Sequence, residues 1–233
     1  MDDVKRLRGE GRWSDALEAA GDDPLLRAEL LNEQAMFGGV DEARDDAARE
    51  LDRAEARLEA ERGRILHSRF LVDRAQEDPR ELEHFEASLA AARRAGDPQL
   101  EAWGRFWVGL VYQVVRGDTE AALPEFEAAY EASLATGDTL LQSYAIRHLA
   151  FAWHEAGRHD DAWRGFEESL ELRRADGFQP GVAAALLALA QAAREQGRAE
   201  QANELFEEAR RTARSSNAAG ILGVIDRVES GEL

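Results

Sequence analysis

The chain has 233 residues, 44% of them apolar, with 47 acidic and 29 basic side chains and a net charge of -18 at pH 7. That length can bury a substantial core, and the absence of cysteine excludes disulfides, thiolate metal sites and thiol nucleophiles. So acidic a chain lacks the basic face that phosphate neutralisation requires, which argues against a nucleic-acid partner.

The opening stretch, residues 1–21, carries four charges in its first six positions and no apolar run, unlike a secretory leader. The longest apolar run, residues 182–190, is far short of the roughly twenty residues that span a bilayer. A cytoplasmic protein with no membrane contact is expected. Apolar periodicity and breaker residues then predict helices in chain order near 12–20, 24–37, 40–60, 62–76, 79–95, 98–116, 119–136, 139–156, 159–175, 180–196, 199–215 and 218–229. The connections are short, and several read Gly-Asp: Gly96-Asp97, Gly117-Asp118 and Gly137-Asp138. Glycine closes one helix and aspartate caps the next. With no long polar linker, the sequence predicts one domain over residues 1–233.

The second half repeats itself. Gly117, Gly157 and Gly197 lie forty residues apart. At fixed offsets from each come Ala122, Ala162 and Ala202; Phe126, Phe166 and Phe206; Leu110, Ala150 and Ala190; and Phe106, Ile146 and Leu186. Small residues suit the close approach of two helices, and large apolar ones fill the space between successive pairs. Such a pair has one apolar stripe too many for itself and buries it against its neighbours. The pattern continues less cleanly upstream through Ile65, Phe85 and Gly96, and residues 218–228 read as a terminal cap.

Helix-turn-helix units carrying Leu149-Ala150, Trp153, Gly157, Ala162 and Phe166 resemble the tetratricopeptide repeat. The resemblance is strongest over residues 100–214. The forty-residue period is similar to that of sensor-region repeats in bacterial, especially actinobacterial, transcription regulators. It implies an all-α, right-handed superhelical solenoid of stacked antiparallel helix pairs, about five repeats with a C-terminal cap. It also implies that the first helix of each pair lines a concave groove. Groove positions would then be Leu66, His67, Phe70 and Asp73; Trp107 and Val111; and Tyr144, Arg147, His148 and Phe151.

Exposed apolar and aromatic patches mark binding surfaces, so a peptide or small ligand is expected among His67, Phe70, Trp107, Val111, Tyr144, Arg147, His148 and Phe151. The competing expectation is that these side chains are ordinary core. Trp107 and Phe70 are the preferred anchors, with Arg147 orienting a carboxylate or backbone. The Lys and Asn set with which some tetratricopeptide co-chaperones clamp a terminal carboxylate is not matched. The acidic balance would suit a basic protein or peptide partner. Three readings follow: a non-catalytic protein- or peptide-binding scaffold, a sensor for a small signal molecule, and a structural homo-oligomer.

Catalytic and metal chemistry is not expected. His148 and His154 are six residues apart and face different ways on a helix. Glu81 and His84 form one Glu-x-x-His on a helix expected to face outward, where a di-metal bundle needs two. Acidic neighbours such as Asp160-Asp161 and Glu207-Glu208 diverge by about 100° on a helix and read as solvated faces. No nucleophile, base and oxyanion-donor set emerges, and no cofactor motif is present.

Overall fold

A computed structural model describes residues 2–74 and 76–232. The helices are α1 (Asp2–Gly9), α2 (Trp13–Ala19), α3 (Pro24–Gly38), α4 (Ala43–Asp73), α5 (Arg80–Ala95), α6 (Pro98–Leu110), α7 (Thr119–Thr136), α8 (Thr139–Glu155), α9 (His159–Ala175), α10 (Gln179–Glu195), α11 (Ala199–Ser215) and α12 (Ala219–Ser230). A π-helical turn, Val111–Val115, extends α6. No strand occurs among the described residues, and no helix is long and apolar enough to cross a membrane. The chain divides into two compact units, Met1–Gly117 and Asp118–Leu233.

The boundaries follow local chemistry. Asp23 and Asp97 each accept two hydrogen bonds from amides of the helix they open, and Pro24 and Pro98 take the first helical position, where a missing donor costs nothing. Asp118 accepts from the Ala121 amide and Asp138 from that of Leu141. Gly137, at φ 71°, closes α7 in the left-handed region that a side chain disfavours.

In the second unit the helices form hairpins. Along α8 and α9, Ser169 Oγ donates to the Ser143 carbonyl at 2.7 Å. A Cβ on Gly165 would stand 2.9 Å from the Ala150 Cβ. Contacts climbing one helix descend the other, so the pair is antiparallel. The repeated apolar positions are core: Phe126, Phe166 and Phe206, their alanines, Ile146, Leu186, Ala150 and Ala190 are all buried. Burying each phenylalanine contributes about 1.5–3 kcal/mol.

The first unit departs from the expected helix map at two places: α1 (Asp2–Gly9) precedes the first helix expected, and α4 continues through an expected break. The break expected near residue 61 is absent, and α4 runs unbroken for 31 residues. One glycine costs a helix only about 1 kcal/mol, and Gly63 is the single weak point there. Its bare backbone receives the Phe85 ring of α5. Antiparallel contacts tie α4 to α5 along its length: Ser88 Oγ donates to the Ala56 carbonyl, His84 Nδ1 lies 2.6 Å from Glu59 Oε2, and Arg94 reaches Asp52 and Glu55. Glu81, expected to face outward, is wholly buried at the start of α5. The uninterrupted α4 brings His67 over it, with His67 Nδ1 2.8 Å from Glu81 Oε1.

Candidate functional site

Four candidate residues lie in the first unit. His67 is buried against Glu81 and its ring centre is 6.5 Å from that of the partly buried Phe70. Trp107 is partly buried in a cluster with Phe85, Leu89, Val108 and Val111, and Val111 is fully buried. The Trp107 ring stacks on Phe85 at 5.5 Å and on Trp103 at 5.7 Å, and meets Phe106 edge-on. The Arg64 guanidinium sits 5.2 Å above it, a cation–π arrangement. The Asp73 side chain lies outside the described residues.

The other four lie in the second unit, all on α8. Tyr144, Arg147 and Phe151 are partly buried and His148 is buried. Three and four residues separate Tyr144, Arg147 and Phe151, so they form one stripe along the helix. His148 stacks on Phe126 at 5.1 Å and meets the edge of Phe151, which in turn packs edge-on against Phe166 at 4.9 Å. The Arg147 guanidinium lies 4.7 Å over the Phe151 ring.

Arg173 of α9 joins this group, although the sequence reading did not select it. It is almost wholly buried. Its guanidinium lies 4.8 Å over the Tyr144 ring, Nη1 donates to the Gly181 carbonyl at 2.9 Å and Nε to Ser143 Oγ at 3.3 Å. Arg173 Nη2 and Arg147 Nε are buried without a hydrogen-bond partner. Burial pushes Arg147 down to about 9, with the nearby positive charge of Arg173 adding to the effect, and pushes Arg173 down to about 10. Both therefore remain protonated at neutral pH. The signal for Arg173 was present in the repeat: forty residues to either side stand Ser133 and Ala213, both fully buried.

Among the described residues no cluster of three or more His, Asp or Glu side chains could hold a metal ion. His154 and Glu195 pair across the second unit. An open notch of about 430 Å³ at the start of α11 is lined by Arg198, Ala199, Glu200, Gln201 and Glu204. It has no aromatic lining and contains none of the candidate residues.

Residues 141–215 match the family model described as tetratricopeptide repeat. No curated protein matches the chain in sequence. Among solved structures, it is similar to BtubC (BKLC) from P. vanneervenii, at 14% identity and a TM-score of 0.54, covering 93% of this chain and 90% of that one. It is also similar to aspartyl phosphate phosphatase F from Bacillus subtilis, at 12% identity and a TM-score of 0.54, covering 88% of this chain and 60% of that one. At these identities the likeness concerns the fold. Hairpins in sequence, a forty-residue core pattern and the family match together make residues 141–215 a tetratricopeptide-type helical-repeat segment, and the rest of the chain shares the helical-repeat fold.

Proposed function

We propose that the chain is a non-catalytic scaffold that binds a protein or peptide. The observation that carries this reading is the α8 stripe. Tyr144, Arg147 and Phe151 are partly buried rather than sealed in, and they combine two aromatic surfaces with a cation that no carboxylate among the described residues neutralises. Aromatic side chains and arginine dominate binding energy at interfaces, and a rigid helix presents them with little ordering cost. The mechanism is preorganised binding. Repeat folds of this type serve as interaction scaffolds as a rule, and the net charge of -18 favours encounter with a partner that is basic overall. In the first unit, Phe70 and Trp107 are the corresponding candidates. Trp107 has less freedom, because its ring already stacks on Phe85 and Trp103.

Selection of binders from a random peptide library on the full chain tests this. Calorimetry of a selected peptide should show at least tenfold weaker binding to Phe151→Ala and Tyr144→Ala variants of unchanged helicity. Peptides that bind both variants as well as the wild type would place binding elsewhere.

A further inference from the structure

The second unit holds two arginines whose charge nothing around them neutralises. From α8 the pair is faced by Ser143, Tyr144, His148 and Phe151, and from the start of α10 by the Gly181 carbonyl and Phe178. Among the described residues no Asp or Glu comes within ion-pair reach of either guanidinium. On α9, Glu168 instead accepts hydrogen bonds from Tyr130 and Gln142. A buried charge without a partner is strongly unfavourable, and an arginine cannot escape it by losing its proton at neutral pH.

The pair is also a departure from the repeat that builds the fold. Forty residues before and after Arg147 stand Trp107 and Leu187, and the same offsets from Arg173 give Ser133 and Ala213. Only this repeat puts cations at both positions. The neighbouring helix has given way to admit Arg173. Gly181, where a Cβ would stand 3.1 Å from Arg173 Cδ and closer still to the Phe178 ring, replaces the Leu141 and Ile221 found forty residues to either side. Space, stacking surface and two hydrogen bonds are provided for Arg173, while a counter-charge is not.

We propose that Arg147 and Arg173, framed by Tyr144 and Phe151, form a binding site for an oxyanion, a carboxylate or a phosphate group, supplied by the bound partner. Arg147, partly exposed at the α8 surface, makes the direct contact through its guanidinium edge. Arg173 lies beneath it and supplies a second, largely desolvated positive charge. Arginine forks match both carboxylate and phosphate geometry. The site deepens the scaffold reading by naming the chemistry it recognises. It also reconciles a local cationic pocket with an acidic chain: a partner that is basic overall but ends in a carboxylate would satisfy both.

The test uses the full chain and simple anions. Thermal melts at constant ionic strength compare sodium acetate and sodium phosphate with sodium chloride, for the wild type, Arg147→Met and Arg173→Met. The expected result is a rise in Tm of several degrees for the wild type in acetate or phosphate over chloride, absent in Arg147→Met. The more effective anion tells which oxyanion the site prefers. A wild type that melts identically in all three salts, or an Arg147→Met variant that keeps the full shift, overturns the proposal. Arg173→Met loses two hydrogen bonds and is the variant at risk of misfolding, so the decision rests on Arg147→Met. A selected peptide measured with a free and an amidated C-terminus then assigns the carboxylate: at least tenfold weaker binding of the amide to the wild type, with no difference in Arg147→Met, is expected. Peptide binding that depends on Phe151 without any anion response would retain the scaffold reading and reject this one.

Discussion

The Phe85 ring lies so close to Gly63 that a Cβ there would meet its edge at 2.5 Å. The two residues sit on adjacent antiparallel helices, and the contact lies inside the unbroken α4, ten residues before its end. Gly63→Ala would gain about 1 kcal/mol of helix propensity. The displaced ring costs about 1–3 kcal/mol in a packed core. Net destabilisation of up to about 2 kcal/mol is expected from the urea midpoint. A gain in stability would show that Phe85 swings aside freely.

Trp107 distinguishes a core residue from a binding anchor. Its ring stacks on Phe85 and Trp103, so Trp107→Glu removes that stacking and brings a carboxylate into an apolar cluster. A loss of about 3 kcal/mol or more is expected, read from urea unfolding followed by circular dichroism. Unchanged stability would mean that the ring contributes little to the first unit and is available to a partner.

Arg147 is expected to destabilise the empty protein. Burial, with the nearby charge of Arg173, holds its folded-state pKa well below the ordinary arginine value, at about 9, so above pH 9 the folded chain holds fewer protons than the unfolded one and stability rises with pH. The penalty is fully present below pH 9 and is relieved above it. Arg147→Met should therefore raise stability at pH 7 by about 1–3 kcal/mol, with the advantage shrinking above pH 9. Denaturant titrations at pH 7 and pH 10 measure the difference. A variant less stable than the wild type at pH 7 would mean that the guanidinium is well solvated or paired.

Phe166 carries the repeat. It is buried against Ala150, Leu170 and Leu186 and receives the edge of Phe151. Phe166→Ala should cost about 3–5 kcal/mol, measured by urea unfolding. A loss below 1 kcal/mol would show that neighbouring hairpins collapse into the space.

The forty-residue pattern was legible because it records burial directly. Phe126, Phe166 and Phe206 share one core position, and the Gly-Asp pairs mark turns through backbone geometry and capping. The continuity of α4 was less visible, because Gly63 reads as a breaker unless Phe85, twenty-two positions later, is known to fill its missing side chain. Glu81 was misjudged for a similar reason: its burial depends on His67, which only an unbroken helix delivers. For the candidate residues, α8 membership and the shared stripe of Tyr144, Arg147 and Phe151 follow from spacing alone. Arg173 belongs to the other helix of the hairpin, at a position the repeat reserves for a small side chain, and its importance appears only when its surroundings are seen to lack a carboxylate.

The stretch from Asp97 to Gly117 is one residue longer than that from Asp138 to Gly157. The π-helical turn at Val111–Val115, closed by the Arg116 amide donating to the Val111 carbonyl, absorbs the extra residue in a wider loop of backbone. An insertion that would otherwise turn the rest of the helix through about 100° is confined to its last turn. Gly117 therefore still ends its helix as its two counterparts do, and the chain length of this repeat can differ by one at no cost to the turn that closes it.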